Sequence, residues 1–145
     1  MIIPVSNENV KEWVALCDEL WPEDDGENVA EWIEEWKNGE LPHEYLYYFD
    51  DKAVAFISLE LRHDYVEGTD SSPVGYLEGI YVKPSYRKHG IARELVEFAK
   101  KWALSKGCTE FASDCELGNE ASRLFHNQLG FKEANRVICF TMDLM

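Results

Sequence analysis

The sequence contains no long apolar run, no closely spaced cysteine pair and few basic residues. No stretch reaches the length of a membrane span, and polar residues and a proline interrupt the first ten positions. Neither a membrane anchor nor a secretion signal is therefore expected. The four cysteines, Cys17, Cys108, Cys115 and Cys139, form no CxxC motif. This spacing indicates reduced thiols in a cytoplasmic protein and argues against a disulfide framework or a metal site.

Acidic residues dominate the charge, with 28 Asp and Glu against 14 Lys and Arg and a formal net charge of −14. A surface of this sign repels nucleic acid and anionic lipid and attracts cations. Neither nucleic acid nor a membrane is therefore expected as a partner. Because acidity also serves plain solubility, it supports a cationic substrate only in combination with a site.

The chain has the length and composition of one folded domain, residues 1–145, with 46% hydrophobic and 13% aromatic residues. Its periodicities predict an α/β fold with a mixed (α+β) sheet in the order β-α-α-β-β-β-α-β-α-β-β. The second helix is predicted from about Asn28, on a stripe of Val29, Trp32, Ile33 and Trp36. A hairpin turn is predicted at 50–52 and a central strand at 53–61. Strands at 131–135 and 137–142 are expected to close the sheet.

Residues 76–102 organise the chain as a strand, a short basic turn and a long amphipathic helix. Residues 76–82 are apolar and β-prone, and Pro84 ends the strand. The helix face is marked by Ile91, Leu95, Phe98 and Trp102. Together with the next predicted strand, 108–115, this unit should form a right-handed crossover between two parallel strands.

The turn itself, Arg87-Lys88-His89-Gly90-Ile91-Ala92, predicts a phosphate site. Small residues allow close approach to the backbone, and the first turn of a helix offers unpaired N–H groups at its positive end. The GxGxxG and GxxxxGK[ST] patterns are both absent.

These six residues resemble the pyrophosphate loop, [QR]-x-x-G-x-[GA], of the Gcn5-related N-acetyltransferases. The element order is also that of this family, in which two parallel central strands splay apart to admit the acetyl-pantetheine arm of acetyl-CoA. Residues 119–131, NEASRLFHNQLGF, are similar to a helix near the family's C-terminus, with His126 in place of the usual Tyr. The resemblance implies acetyl-CoA as cosubstrate, with no metal.

Further stretches resemble the chromosomal-type aminoglycoside 6′-N-acetyltransferases over nearly the whole chain: Leu20-Trp21-Pro22, 62–66, 71–74, 77–80, 112–114 and 135–137. The resemblance implies an aminoglycoside substrate, antibiotic resistance as the outcome and a homodimer. Ile138, Phe140 and Met142 could contribute apolar surface to the dimer or fill the core of the monomer. The implied aminoglycoside contacts are Trp21, Tyr65, Glu78, Asp114 and Asn135. The implied acetyl-CoA contacts are Ile80, Tyr81, Val82, Arg87, Lys88, His89, Gly90, Ile91, Ala92, Arg93 and Asn119. Related enzymes often carry Glu at position 135, so Asn135 removes one negative contact.

Glu78 is the main catalytic candidate. It lies mid-strand among apolar neighbours, where a charge needs either a partner or a function, and Gly79 beside it suits a bulge or a close backbone approach. We expect Glu78 to accept the amine proton directly or through water, although a structural ion pair is the alternative. Asp114, at the end of the adjacent strand, could bind an ammonium group or cap the strand. His126 could protonate the thiolate or simply pack in its helix.

Strand N–H groups at 80–82 could polarise the thioester carbonyl. Cys115 is expected to pack in the core, which favours direct transfer in a ternary complex over a covalent intermediate. Two other functions remain open. One is an acetyltransferase for another amine, such as a polyamine or a protein N-terminus, and the other is a non-catalytic acetyl-CoA-binding module.

Overall fold

The computed structural model describes residues 1–22, 31, 34 and 43–145. Five strands, three helices and one 3₁₀ helix are assigned there: β1 (Ile2–Pro4), α1 (Val10–Leu20), β2 (His43–Phe49), β3 (Lys52–Arg62), β4 (Val74–Val82), the 3₁₀ helix (Pro84–Tyr86), α2 (Ile91–Ser105), β5 (Phe111–Ser113) and α3 (Glu120–Gln128). The four residues on which the predicted second helix rests, Val29, Trp32, Ile33 and Trp36, lie outside the described residues; Glu31 and Glu34, which are described, are helical. No helix in the described part of the chain has the length and apolarity needed to cross a bilayer.

The strands form one mixed sheet in the order β1-β2-β3-β4-β5. The first three pairings are antiparallel and β4 pairs with β5 in parallel, which confirms the predicted crossover through α2. The predicted hairpin is also confirmed, because Asp50 and Asp51 both have positive φ in the tight turn between β2 and β3. Asp tolerates this left-handed conformation better than most residues.

The core lies on both faces of β3, which is the central strand as predicted. On one face, Ile57 and Leu59 pack with the buried stripe of α2, including Leu95. On the other face, Phe56 packs with Trp13 of α1. Neighbouring residues of β3 point to opposite faces, so one apolar strand supplies both halves of the core.

The parallel pair opens beyond its first three residues. Gly75–Leu77 of β4 pairs with Phe111–Ser113, whereas β4 itself continues to Val82. Within the described residues, no strand pairs with that side of β4 after Leu77. A splayed pair of parallel central strands is therefore present as predicted, and it leaves backbone of β4 facing a gap.

A β-bulge lies where β4 leaves β5. Ser58 of β3 is opposite Gly79, while the next residue, Leu59, is opposite Leu77. Glu78 is thus the extra residue of the bulge, which confirms the bulge predicted beside Gly79. A bulge of this kind redirects a side chain out of the regular alternation.

The two closing strands predicted at 131–135 and 137–142 are wrong. Residues 131–145 have no regular secondary structure, and Ile138, Phe140 and Met142 are 75%, 88% and 82% exposed. Alternating apolar residues favour a strand only where another strand edge lies alongside, and this segment has no such neighbour among the described residues. The fifth strand is likewise shorter than predicted, Phe111–Ser113 against 108–115.

Candidate active site

The turn between β4 and α2 has the backbone shape of an anion site. Lys88 and Gly90 are both left-handed, with φ of +67° and +82°. Gly90 is the N-cap of α2, and no side chain caps this end of the helix, so its first N–H groups are available. In the described structure, a Cβ on Gly90 would have no atom within 4 Å. The turn therefore fits a pyrophosphate held on backbone amides.

The basic side chains of the turn are placed differently from one another. The Arg87 Nε donates to the carbonyl of Val82 at 2.8 Å, and its guanidinium carbon lies 5.5 Å from the centre of the Tyr81 ring. Arg87 thus braces the turn against the end of β4. Lys88 and His89 are exposed on the turn.

Two further predicted coenzyme residues tie α2 and α3 into this region. The Arg93 Nη2 donates to the carbonyl of Gln128 at 3.0 Å, and the Asn119 Oδ1 accepts from the N–H of Ser122 at 3.1 Å as the N-cap of α3. The Arg93 side chain links α2 to the end of α3, and the Asn119 side chain caps α3. Any contact from these side chains to a coenzyme would have to include these bonds or replace them.

The remaining predicted coenzyme residues present mainly backbone. Val82 and Ile91 are buried in the core, and Ile80, Tyr81 and Ala92 are half-buried against it. What they can offer a ligand is the backbone of β4 along the gap and of the first turn of α2, as the predicted strand and turn contacts require.

An acidic face, defined as Glu60, Arg62, Tyr76, Glu78 and Asp114, lies beside the gap. The Arg62 Nη2 is 2.6 Å from the Glu78 Oε1, its Nε is 3.4 Å from the Glu60 Oε2, and its guanidinium carbon lies 3.5 Å from the Tyr76 ring centre. The Tyr76 hydroxyl donates to the Asp114 Oδ2. One cation, three carboxylates and a phenol thus form a continuous network, and Glu78 and Asp114 are connected through Arg62 and Tyr76.

Burial and neighbouring charge set the ionisation of this face. Burial, followed by the neighbouring Glu60 carboxylate, raises the pKa of Glu78 to about 7, and the Arg62 guanidinium acts in the opposite direction. Burial and the bond to Asp114 raise the pKa of Tyr76. A carboxylate whose pKa lies near neutrality can both take and release a proton there. The ion pair foreseen as the alternative role of Glu78 is present, but the side chain is partly exposed and can meet a ligand.

Trp21 lies over the bulge. A Cβ on Gly79 would fall 2.8 Å from the Trp21 Cη2, so only glycine permits the indole to rest on the strand at this point. The close approach predicted at Gly79 is thereby confirmed, and its cause is Trp21. The indole also packs on Phe56, with ring centres 5.9 Å apart. It provides a flat apolar surface next to Glu78.

The other two predicted substrate residues meet through a third residue. The Tyr65 hydroxyl donates to the Glu67 Oε2 at 3.3 Å, and the Asn135 Nδ2 donates to the Glu67 Oε1 at 2.5 Å. Tyr65 is 71% exposed, whereas Val66 beside it is buried against Tyr76. The loop that carries Tyr65 and Glu67 is thus anchored next to the acidic face, with Asn135 bound to it.

His126 lies close to the end of β5. Its Nδ1 is 2.7 Å from the carbonyl of Ser122, and its Nε2 is 2.8 Å from the Ser113 Oγ. Donation from Nδ1 to the carbonyl leaves Nε2 to accept from Ser113, which pairs with Leu77 where the strands part. Cys115 is exposed, so its predicted place in the core is wrong. The sheet ends at Ser113, and Cys115 follows in the loop.

Sequence reasoning assigned no role to four residues that shape this site: Glu60, Arg62, Tyr76 and Ser113. Glu60 and Arg62 lie two positions apart at the end of an apolar strand, a spacing that places both on one face. That spacing was the available signal, but the strand register that sets Glu60 opposite Tyr76 and Arg62 opposite Val74 could not be read from it. In the described residues, no cluster of His, Cys, Asp and Glu side chains is arranged to hold a metal ion.

Comparison with known proteins agrees with this geometry. The model of the acetyltransferase (GNAT) family matches residues 7–131. The aminoglycoside N(6′)-acetyltransferase type 1 of Acinetobacter haemolyticus is 39% identical over 143 residues, covering 99% of this chain and 98% of that protein. A crystal structure of an aminoglycoside 6′-N-acetyltransferase from the same species superposes with a TM-score of 0.94 at 37% identity, covering 100% and 99% of the two chains.

A second solved structure shows a member of this group with a ligand. AAC(6′)-Iy, in complex with the bisubstrate analogue CoA-S-monomethyl-acetylneamine, superposes with a TM-score of 0.92 at 36% identity and covers 99% of this chain and 97% of that one. The family predicted from residues 87–92 is confirmed. The chain belongs to the acetyltransferase (GNAT) family and, within it, to the group of aminoglycoside N(6′)-acetyltransferases.

Proposed function

We propose that the protein transfers the acetyl group of acetyl-CoA to the 6′-amine of an aminoglycoside and so confers resistance to such antibiotics. The observation that carries the proposal is the acidic face at the splayed end of β4 and β5. Three carboxylates there face a single internal cation, which leaves an excess of negative charge beside the gap. Relatives about 39% identical over nearly the whole chain carry the corresponding name.

An aminoglycoside suits this surface because it carries several ammonium groups on sugar rings that each have an apolar face. Glu78 and Asp114 accept charge-assisted hydrogen bonds from ammonium groups, and the Trp21 indole covers the apolar side of a sugar ring. Tyr65 and Asn135, joined by Glu67, form the outer wall. In this arrangement Asn135 binds substrate by its amide rather than by a charge.

Acetyl-CoA fits the backbone segments at which its contacts are predicted, namely the turn at Gly90, the start of α2 and β4 at 80–82. The open turn at Gly90 and the uncapped start of α2 accept the pyrophosphate, with Arg87, Lys88, His89 and Arg93 adding positive charge around it. The unpaired side of β4 at 80–82 accepts the pantetheine arm. When bound there, acetyl-CoA supplies the thioester carbonyl that the substrate amine attacks.

The chemistry of the protein then consists of two proton transfers and one polarisation. Glu78, directly or through water, takes the proton that the amine loses as it forms the amide bond. Backbone N–H groups at 80–82 stabilise negative charge on the carbonyl oxygen. As the carbon–sulfur bond breaks, the leaving sulfur takes the Nε2 proton of the His126 imidazolium. The neutral ring that remains keeps its Nδ1–H on the Ser122 carbonyl and accepts at Nε2 from Ser113, until solvent restores the proton. Alignment of the two substrates supplies the rest of the acceleration, and no covalent intermediate is needed.

An amine panel tests this function. Initial rates with acetyl-CoA should be high for aminoglycosides carrying a 6′-amine, and near background for an aminoglycoside with a 6′-hydroxyl, for polyamines and for peptide N-termini. Higher kcat/KM for a polyamine or a peptide would refute the substrate assignment. Coenzyme binding without transfer to any of these amines would refute the enzyme itself.

We further propose that the protein is a cytoplasmic homodimer. All four cysteines are free, as expected in a reducing compartment. At the C-terminal end, Ile138, Phe140, Met142 and Leu144 expose apolar side chains at alternate positions. Such a row is costly in water and suits burial against a second copy of the chain. A monomeric mass at micromolar concentration in analytical ultracentrifugation would contradict the dimer.

A further inference from the structure

Arg62 is the one cation within the acidic face, and its position is fixed on three sides. Nη2 contacts the Glu78 Oε1 at 2.6 Å, Nε contacts the Glu60 Oε2 at 3.4 Å, and the guanidinium lies over the Tyr76 ring. The planar fork of arginine can hold two carboxylates while stacked on an aromatic ring, which a lysine ammonium cannot do. The contact to Glu78 uses Oε1. The Glu60 carboxyl is close enough to Glu78 to share a hydrogen bond with it when one of the two acids is protonated.

We propose that Arg62 is a positioning residue for acetyl transfer: it fixes the Glu78 carboxylate at the bulge and supplies the positive charge that lets Glu78 share this face with Glu60. The inference rests on the proposed function, because it deepens the role of Glu78 there. Arg62 acts through Glu78 and need not touch substrate. Without its positive charge, two carboxylates on one face of the sheet would compete to retain a proton.

The charges around Glu78 make the sign of the effect definite. Arg62 favours the ionised carboxylate, while Glu60 on β3 and burial between the strands disfavour it. Glu44 on β2 repels the Glu78 carboxylate only when it is itself ionised, above its own pKa of about 8. Tyr76 and Asp114 complete the face, joined to each other by a hydrogen bond. Removal of the Arg62 cation must therefore raise the pKa of Glu78, and removal of the Glu60 charge must lower it. If the substitutions merely loosened the strands, the pKa of Glu78 would not shift in opposite directions in the Arg62 and Glu60 variants.

The test is a carboxyl ¹³C NMR titration of the folded protein without substrate, with the Glu78 resonance identified by its loss in Glu78→Gln. Arg62→Gln should move the midpoint of Glu78 up by about 1 pH unit or more, and Glu60→Gln should move it down. Arg62→Lys keeps the charge but not the fork, so its midpoint should lie between those of the parent and Arg62→Gln. Arg123→Gln, which breaks an Arg–Glu pair of 2.7 Å on α3, is the matched control and should leave the midpoint unchanged.

When kcat/KM is measured against pH, the midpoint of the acid limb should shift in each variant in the same direction as the midpoint of the Glu78 titration. An unchanged Glu78 midpoint in both Arg62 variants, or shifts of the same sign in Arg62→Gln and Glu60→Gln, would overturn the inference. If Arg62→Gln does not fold, Arg62→Lys and Glu60→Gln still decide it, because each has its own required direction. The titration needs no substrate, so a protein that acetylates no aminoglycoside would refute the proposed function and leave this measurement valid.

Discussion

Glu44 offers a sharp test of how this sheet tolerates a buried acid. The side chain is 7% exposed, its Oε2 accepts from the Trp13 indole N–H at 3.1 Å, and its Oε1 is 2.5 Å from the Ser58 hydroxyl. Burial raises the pKa of Glu44 to about 8, even though both hydrogen bonds favour the ionised form. The acid is therefore mostly protonated at neutral pH. The Ser58 hydroxyl, which donates to the carboxylate, can rotate to accept from the protonated acid. Glu44→Gln preserves this pattern, because the amide carbonyl accepts from Trp13 and the NH₂ group donates to Ser58.

The size of the effect on stability follows from the linkage between proton binding and folding. In the unfolded chain Glu44 titrates near 4.5, and in the folded protein near 8, so the folded state binds one more proton between these values. The stability contributed by Glu44 is complete below pH 4.5 and is lost as the pH rises toward the folded pKa. The free energy of unfolding should fall by about 1.4 kcal/mol per pH unit, or about 3 kcal/mol from pH 5 to 7.5.

Urea unfolding at a series of pH values measures this change. The variant lacks the titration, so the stability of Glu44→Gln relative to the parent should improve by about 3 kcal/mol between pH 5 and 7.5. Subtracting the unfolding free energy of the parent from that of the variant at each pH removes the general effect of the net charge of −14, which is nearly the same in both proteins. Glu116→Gln makes the same chemical change at an exposed position as a control. A difference between Glu44→Gln and the parent that does not vary with pH would show that Glu44 folds as an ion, and the reasoning would be refuted.

Three further predictions concern the proposed activity and the proposed dimer. Asp114→Asn should raise the aminoglycoside KM about 10-fold or more with little change in kcat, whereas Glu78→Gln should lower kcat, most severely at low pH. If both variants keep the kinetic constants of the parent, the assignment of this face as the binding site for the cationic substrate is wrong. Gly90→Ala and Gly107→Ala place the same strain at opposite ends of α2, where φ is +82° and +87°, so each should lose about 1 kcal/mol, but only the former should raise the KM for acetyl-CoA. Phe140→Ser should shift sedimentation toward the monomer, and an unchanged mass would exclude this side chain from the interface.

The strand, turn and helix of the proposed coenzyme site could be predicted from sequence because their determinants are local. A strand, a basic turn, Gly90 and an amphipathic helix follow one another directly, and each is dictated by residues within about one turn of itself. The left-handed conformation of Gly90 and the uncapped start of α2 are what those residues require. The hairpin at Asp50 and Asp51 is equally local and was predicted correctly, and so was the order of the elements from β2 to α3.

The prediction of two C-terminal strands was wrong because strand pairing, unlike the features above, depends on residues distant in the sequence. The alternation of Ile138, Phe140 and Met142 is a genuine β pattern, but a strand exists only when another edge supplies its hydrogen bonds. Sequence periodicity does not say which chain carries that edge. The described residues of this chain supply no such edge, and the apolar row stays exposed.

The acidic face could be predicted only in part, because it depends on the bulge at Glu78. Before the bulge, Leu77 packs on the α2 side of the sheet; after it, the residues on that side are Ile80 and Val82. The apolar positions thus change from odd to even numbers, which a regular strand cannot do. A regular strand facing α2 with Leu77 would have turned Tyr81 toward α2 and Ile80 toward α1. With Glu78 as the extra residue, β4 keeps an apolar face for α2 and still presents a carboxylate beside Tyr76. The bulge therefore lets a single strand serve both the core and the chemistry, and the change of parity after Leu77 is the sequence signal by which it can be recognised.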